Sequence, residues 1–105
     1  MNEETPRGDE LLRVLTALAN PQRLRIVGIL TRGRQYVSRL ARELGISRPL
    51  LYVHLHRLEA AGLVVGVLET AGDGKTMKYY RATQFAVQLT PHTVMRAATT
   101  LGDHR

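Results

Sequence analysis

Apolar residues recur along most of this chain at helical spacing. Leu11, Leu12, Leu15 and Leu18 return every three or four positions, with Val14 and Ala19 widening the stripe, which predicts a first helix from Asp9. Asn20-Pro21 marks its end, because asparagine caps a helix and proline tolerates the first helical position. Leu24, Val27, Ile29 and Leu30 give a second helix its apolar side until Gly33. Val37, Leu40, Ala41 and Leu44 predict a short third helix, with Ser38 as a candidate cap and Gly45 closing it. In ISRPLLYVHLHRLEAAG, Ser47 is the expected N-cap, Leu51, Leu55 and Leu58 form one narrow stripe, and Gly62 stops the helix.

Beyond Gly62 the character changes to β. LVVGVLET and TMKYYRAT carry β-branched and aromatic residues and are joined by AGDGK, in which Asp73-Gly74 suits a tight turn with positive φ. A two-residue loop there would set Glu69 opposite Lys78 and Leu68 opposite Tyr79. Thr90-Pro91 repeats the cap-and-proline start, predicting a last helix over 91–101 that bears Val94, Met95, Ala98 and Leu101. The predicted order is α-α-α-α-β-β-α, a mainly α fold with a small β-hairpin (α+β). It forms a single domain over 9–105 after a flexible stretch at 1–8.

The third and fourth helices, separated by a turn at Gly45 and brought close at the small Ala41, have the helix-turn-helix arrangement over about 37–62. With Leu51, Leu55 and Leu58 turned inward, Pro49, Val53, His56 and Arg57 point outward, while Arg48, Tyr52 and His54 flank the stripe. A basic, hydrogen-bonding surface at the start of such a helix is what reading the major groove requires. The two-stranded ribbon that follows, about 63–83, makes the pattern a winged helix-turn-helix. Lys75 and Lys78 are then candidates for phosphate contact.

Charge agrees with that picture. The net charge of +6 is concentrated mid-chain, where Arg23, Arg25, Arg32, Arg34, Arg39, Arg42, Arg48 and Arg57 face only Glu43 and Glu59. Such a block favours a polyanionic partner, nucleic acid before membrane surface. The absence of cysteine excludes disulfides and thiolate chemistry and fits a reducing cytoplasm. No apolar run approaches the roughly 20 residues of a membrane span, and the acidic MNEETPRGDE does not read as a signal peptide. There is no serine-histidine-acid set with supporting motifs, no phosphate-cradling glycine loop and no close carboxylate pair, so no enzyme is expected.

The strings LANPQRLRIVGIL, LARELGISRPLLYVHLHRLEAAGLV and the wing ending in KYYRAT resemble the ArsR-type winged helix-turn-helix transcriptional regulators over roughly residues 11 to 83. The resemblance implies a homodimer that binds double-stranded operator DNA and usually represses nearby genes. By position it implies that Ser47, Arg48, Leu50, Tyr52, Val53, His54 and His56 read DNA, with Arg57, Lys75 and Lys78 on the backbone. It also implies a dimer interface built from the first and last helices, here Leu11, Leu12, Leu15, Leu18, Val94, Met95, Ala98 and Leu101. Two amphipathic end helices richer in leucine and alanine than a lone small domain needs point the same way.

Two departures from the family stand out. Members that sense metal through cysteines have no counterpart here. The comparison with carboxylate-histidine sites rests on His92, Asp103 and His104. On a helix, His92 and Asp103 would lie about 16 Å apart along the axis, too far to hold one ion within a subunit. Antiparallel last helices of a dimer could bring them together across the two-fold axis, but the ligand order does not match the family's and terminal residues often fray, so no metal or cofactor is expected and the effector is unassigned. The wing carries Glu69 and Asp73 where arginines are common in the family, which would weaken its phosphate contacts. Those acids also support an alternative reading, a winged helix used as a protein-interaction module.

Overall fold

Capping side chains set where most helices begin. A computed structural model describes residues 6–102; most of the expected flexible stretch, and Asp103 and His104, lie outside the described residues. α1 (Gly8–Leu18) runs up to Asn20, whose Oδ1 accepts hydrogen bonds from the Gln22 and Arg23 amides at 2.9 and 3.2 Å and starts α2 (Pro21–Thr31). α4 (Arg48–Ala60) starts on Ser47, whose Oγ accepts from the Leu50 amide at 3.3 Å. α5 (Pro91–Ala98) starts on a reciprocal cap between Thr90 and Thr93 and ends short of the predicted Leu101. α3 (Val37–Leu44) departs from expectation at its start: the cap position is Tyr36, no side chain caps it, and Ser38 lies inside the first turn.

The turn between α3 and α4 needs a glycine. Gly45 sits at φ 68°, a left-handed conformation that costs a side chain about 1–2 kcal/mol. From there its amide donates to the Arg42 carbonyl at 3.2 Å and the Ile46 amide to Ala41 at 3.1 Å.

Three strands form one antiparallel sheet, β1 (Gln35–Tyr36), β2 (Val64–Thr70) and β3 (Thr76–Ala82), in the order β1-β3-β2. β1 is an addition to the predicted order. It is only two residues long and pairs far along the chain, Gln35 with Tyr80 and Tyr36 with Tyr79. The hairpin loop is also longer than predicted. The Ala71 amide donates to the Lys75 carbonyl at 2.8 Å and the Gly74 amide to the Ala71 carbonyl at 3.0 Å, enclosing Gly72, Asp73 and Gly74. Only Gly74 takes positive φ, at 84°, as in the common three-residue loop. The register moves by one residue as a result: Glu69 pairs with Met77 and Leu68 with Lys78, in place of Lys78 and Tyr79.

The core gathers around α4, where Leu51, Leu55 and Leu58 are all fully buried as predicted. They meet Ile26 and Leu30 of α2, Leu40 and Ala41 of α3, Leu63 just before β2, and Tyr80 of β3. In α2 the expected stripe is partly wrong, because Leu24 is 58% exposed and Ile26 is buried. Arg23 takes a core-facing place on that helix. Its Nε–H donates to the Ala17 carbonyl at 2.7 Å, tying α2 to the end of α1.

α1 and α5 pack against each other at the far end of the chain. Gly8 makes that approach possible: a Cβ there would collide with the Ala97 carbonyl and with the Leu101 side chain. Its amide donates to Thr100 Oγ1 at 2.7 Å. Gly8, Leu11 and Ala97 are the residues of α1 and α5 that are buried outside the main core cluster.

Candidate nucleic-acid interface

With one side of α4 committed to the core, its opposite side defines the candidate surface. Ser47, Arg48, Pro49, Leu50, Val53 and His56 are all exposed. Leu50 and Val53 keep 45% and 51% of their surface open, although the same helix buries three leucines completely. Tyr52 is half-buried, and its ring lies 5.9 Å from that of His56, one turn further on, at a tilt of 39°. Arg57 is exposed too, and it borders a groove of about 540 Å³ between α1 and α4 that is also lined by Asp9, Leu12, Arg13 and Ala60.

His54 does not belong to this surface, a correction to the expected set. It is buried, with its Nδ1 3.4 Å from the Arg23 guanidinium. Burial, and then the charges of Arg23 and Arg57, hold its pKa below the ordinary 6.5. A neutral imidazole whose Nδ1 accepts from Arg23 fits both the geometry and that shift. Sequence alone set His54 beside the leucine stripe. It is buried with Leu51, Leu55 and Leu58 on α4, and there it meets Arg23, which is 31 positions away.

Lys78, the second lysine expected to contact phosphate, sits three residues beyond Lys75. It lies within β3, half-buried, with its ammonium 5.3 Å from the centre of the Tyr80 ring. The Tyr80 phenol is the main reason its pKa is raised. Lys75 is exposed at the end of the loop, where the Asp73 carboxylate accepts from its backbone amide at 3.0 Å.

Glu69 does not burden the wing with an open negative charge. Its carboxylate is 3.4 Å from Arg34 and accepts a 2.7 Å hydrogen bond from the Tyr36 hydroxyl, which raises the Tyr36 pKa. Arg32 is similarly paired with Glu43 at 3.4 Å. Among the described residues, Arg39 and Arg42 on α3, Arg48 on α4 and Lys75 in the wing have no ion-pair partner. Arg39 and Arg42 were missed as candidates. Their signal was available, since both lie off the Val37, Leu40 and Ala41 stripe and so face outward on the first helix of the pair.

On the expected dimer residues the structure divides. Leu12, Leu15, Val94, Met95, Ala98 and Leu101 are exposed. Leu11, at 6% exposure, is used up inside its own subunit, and Leu18 is half-buried against the core. Among the described residues no group of three or more His, Asp or Glu is placed to hold a metal ion. No helix among them is long and apolar enough to cross a membrane.

Comparison with known proteins puts this geometry in context. Residues 18–67 match a helix-turn-helix domain family. The chain is 37% identical over 76 residues to an uncharacterised HTH-type transcriptional regulator of Methanocaldococcus jannaschii, covering 72% of this chain and 79% of that one. It is 38% identical over 73 residues to the nodulation protein NolR of Rhizobium meliloti, of which it spans 56%. Among solved structures, an ArsR-like transcriptional regulator from Rhodococcus sp. RHA1 superposes with a TM-score of 0.60 at 33% identity, over 88% of this chain and 76% of that one. The homodimeric winged helix-turn-helix DNA-binding domain Mb0332 of Mycobacterium bovis superposes with a TM-score of 0.61 at 26% identity, over 94% and 85%.

Proposed function

Because the chain belongs to the ArsR-type winged helix-turn-helix transcriptional regulators, we propose that it is a homodimeric, sequence-specific DNA-binding repressor acting in the cytoplasm. The observation that carries this reading is the two-sidedness of α4, with Leu51, Leu55 and Leu58 anchored inside and Leu50, Val53 and His56 left open outside. Leaving about half of Leu50 and of Val53 in water forgoes about 1 kcal/mol each relative to full burial, which a thymine methyl in the major groove would recover in part.

In this reading Ser47, Tyr52 and His56 supply hydrogen bonds to base edges at the front of the helix, and Leu50 and Val53 supply apolar contacts. Arg48 and Lys75 contact phosphates, joined by Arg39 and Arg42 from the helix that crosses the backbone. Arg57, two turns from Leu50 on the same flank of α4, adds a further contact. The dimer forms through α1 and α5, whose Leu12, Leu15, Val94, Met95, Ala98 and Leu101 stand open in the single chain. That Mb0332 is homodimeric supports this arrangement.

The test is a fluorescence titration of the wild-type protein with its own upstream DNA and with a random duplex, at rising salt. Binding should weaken steeply, the logarithm of the affinity falling by about 0.9 per phosphate contact for each tenfold rise in salt, and the upstream site should be held at least 10³-fold more tightly. Equal affinity for both duplexes would overturn the reading.

A further inference from the structure

The hairpin that carries Lys75 has a mechanical weakness. β1 covers β3 only at Tyr79 and Tyr80, so from Leu68 and Lys78 outward the ribbon has no third strand beside it. A two-stranded ribbon twists easily and is marginally stable on its own. One cluster of side chains spans all three strands at that point. Tyr36, on β1, meets Tyr79 of the central strand edge to face, with ring centres 5.9 Å apart. Arg34, just before β1, lies over the Tyr79 ring at 4.2 Å and reaches the Glu69 carboxylate on the far strand at 3.4 Å. The Tyr36 hydroxyl donates to the other oxygen of the same carboxylate at 2.7 Å.

β1 runs without a break into α3, since Tyr36 ends the strand and Val37 begins the helix. Anything that fixes the ribbon to β1 therefore fixes it to the helix-turn-helix. We propose that Arg34, Tyr36, Glu69 and Tyr79 form a brace that sets the angle of the wing against the helix-turn-helix, making them positioning residues for the DNA contact made by the wing tip. Arg34 and Glu69 are largely spent on each other and on the rings, so their service to DNA binding is indirect and runs through Lys75. This rests on the DNA-binding reading above for its purpose, but the brace itself stands or falls on wing motion alone.

Because the chain has no cysteine, Gly72→Cys gives a single labelling site at the wing tip for a nitroxide. The labelled full-length protein is compared with the same protein carrying Arg34→Ala, Tyr36→Phe or Glu69→Gln, first without DNA. Spectral mobility at the tip should rise in all three variants while their unfolding midpoints stay close to wild type, since exposed ion pairs contribute at most about 1 kcal/mol. Unchanged mobility would overturn the brace.

DNA titrations then follow with Lys75→Ala alone, Glu69→Gln alone and the two combined. Glu69→Gln should weaken binding about 3- to 10-fold and lower the salt slope by about the 0.9 expected for one lost phosphate contact. The double variant should lose no more than the larger single loss, because both changes remove the same contact. Additive losses, or a looser tip with an unchanged salt slope, would overturn the positioning role. If the unmodified protein binds no DNA at all, the functional reading fails, and the mobility result still decides the brace.

Discussion

His54 stands three positions after Leu51, close enough to the leucine stripe of α4 to be either a flank of the reading surface or part of the core. In the fold it is buried, with the Arg23 guanidinium of α2 beside its Nδ1 while the Arg23 Nε–H donates to the Ala17 carbonyl. The caps at Asn20 and Ser47 and the inward leucines were legible because each is a local relation within one helix. The fate of His54, like that of Arg23 itself, was not, because it depends on a partner in another element. In α2 the buried face runs through Ile26 and Leu30, and Leu24 is left exposed.

The shift at His54 has a consequence that can be measured. Burial and two guanidinium charges keep its pKa below 6.5, so the folded state holds this proton less readily than the unfolded chain. Its contribution to stability is therefore fully present above about pH 6.5 and is lost as the pH falls toward the folded pKa. In urea unfolding, the wild-type midpoint should drop between pH 7 and pH 5 more steeply than that of His54→Gln. The variant should itself cost about 1 kcal/mol at pH 7 through the weakened link to Arg23. Parallel pH profiles would show that His54 carries no such burden.

Among the elements, the helices and the hairpin were legible from periodicity and turn residues, but the fine pairing was not. AGDGK admits either a two-residue or a three-residue loop, and the choice shifts every cross-strand partner by one. β1 gave no signal, since two residues have no period, and it exists only because Tyr79 and Tyr80 offer an edge. At the opposite end, α5 owes its place to Gly8 of α1, which leaves room for the Ala97 carbonyl and Leu101. Gly8→Ala should destabilise the protein by about 1–3 kcal/mol through overpacking. Amides of α5 should lose hydrogen-exchange protection before those of α4. Uniform loss across both helices, or none, would contradict this account of how α5 is held.

As a whole molecule the chain is drawn out, with extents of 52 × 28 × 25 Å and a radius of gyration of 16.0 Å. A compact chain of about this length would have a radius near 13 Å. The length accommodates two exposed regions, the apolar residues of α1 and α5 and the α4 surface with the wing, which meet at the groove shared by Leu12 and Arg57. A two-fold dimer through the first would present two copies of the second to successive major grooves, about 34 Å apart. In that geometry the outer face of α4 would determine sequence preference. The most direct measurement is selection of binding sites from a randomised duplex pool by the wild type and by the Val53→Ala/His56→Ala double variant. The wild type should enrich inverted half-sites centred about 10 base pairs apart. The variant should keep that spacing but lose the base preference at the positions these side chains touch. Enrichment of the same bases by both proteins, or of no sequence by the wild type, would contradict the assignment of α4 as the reading helix.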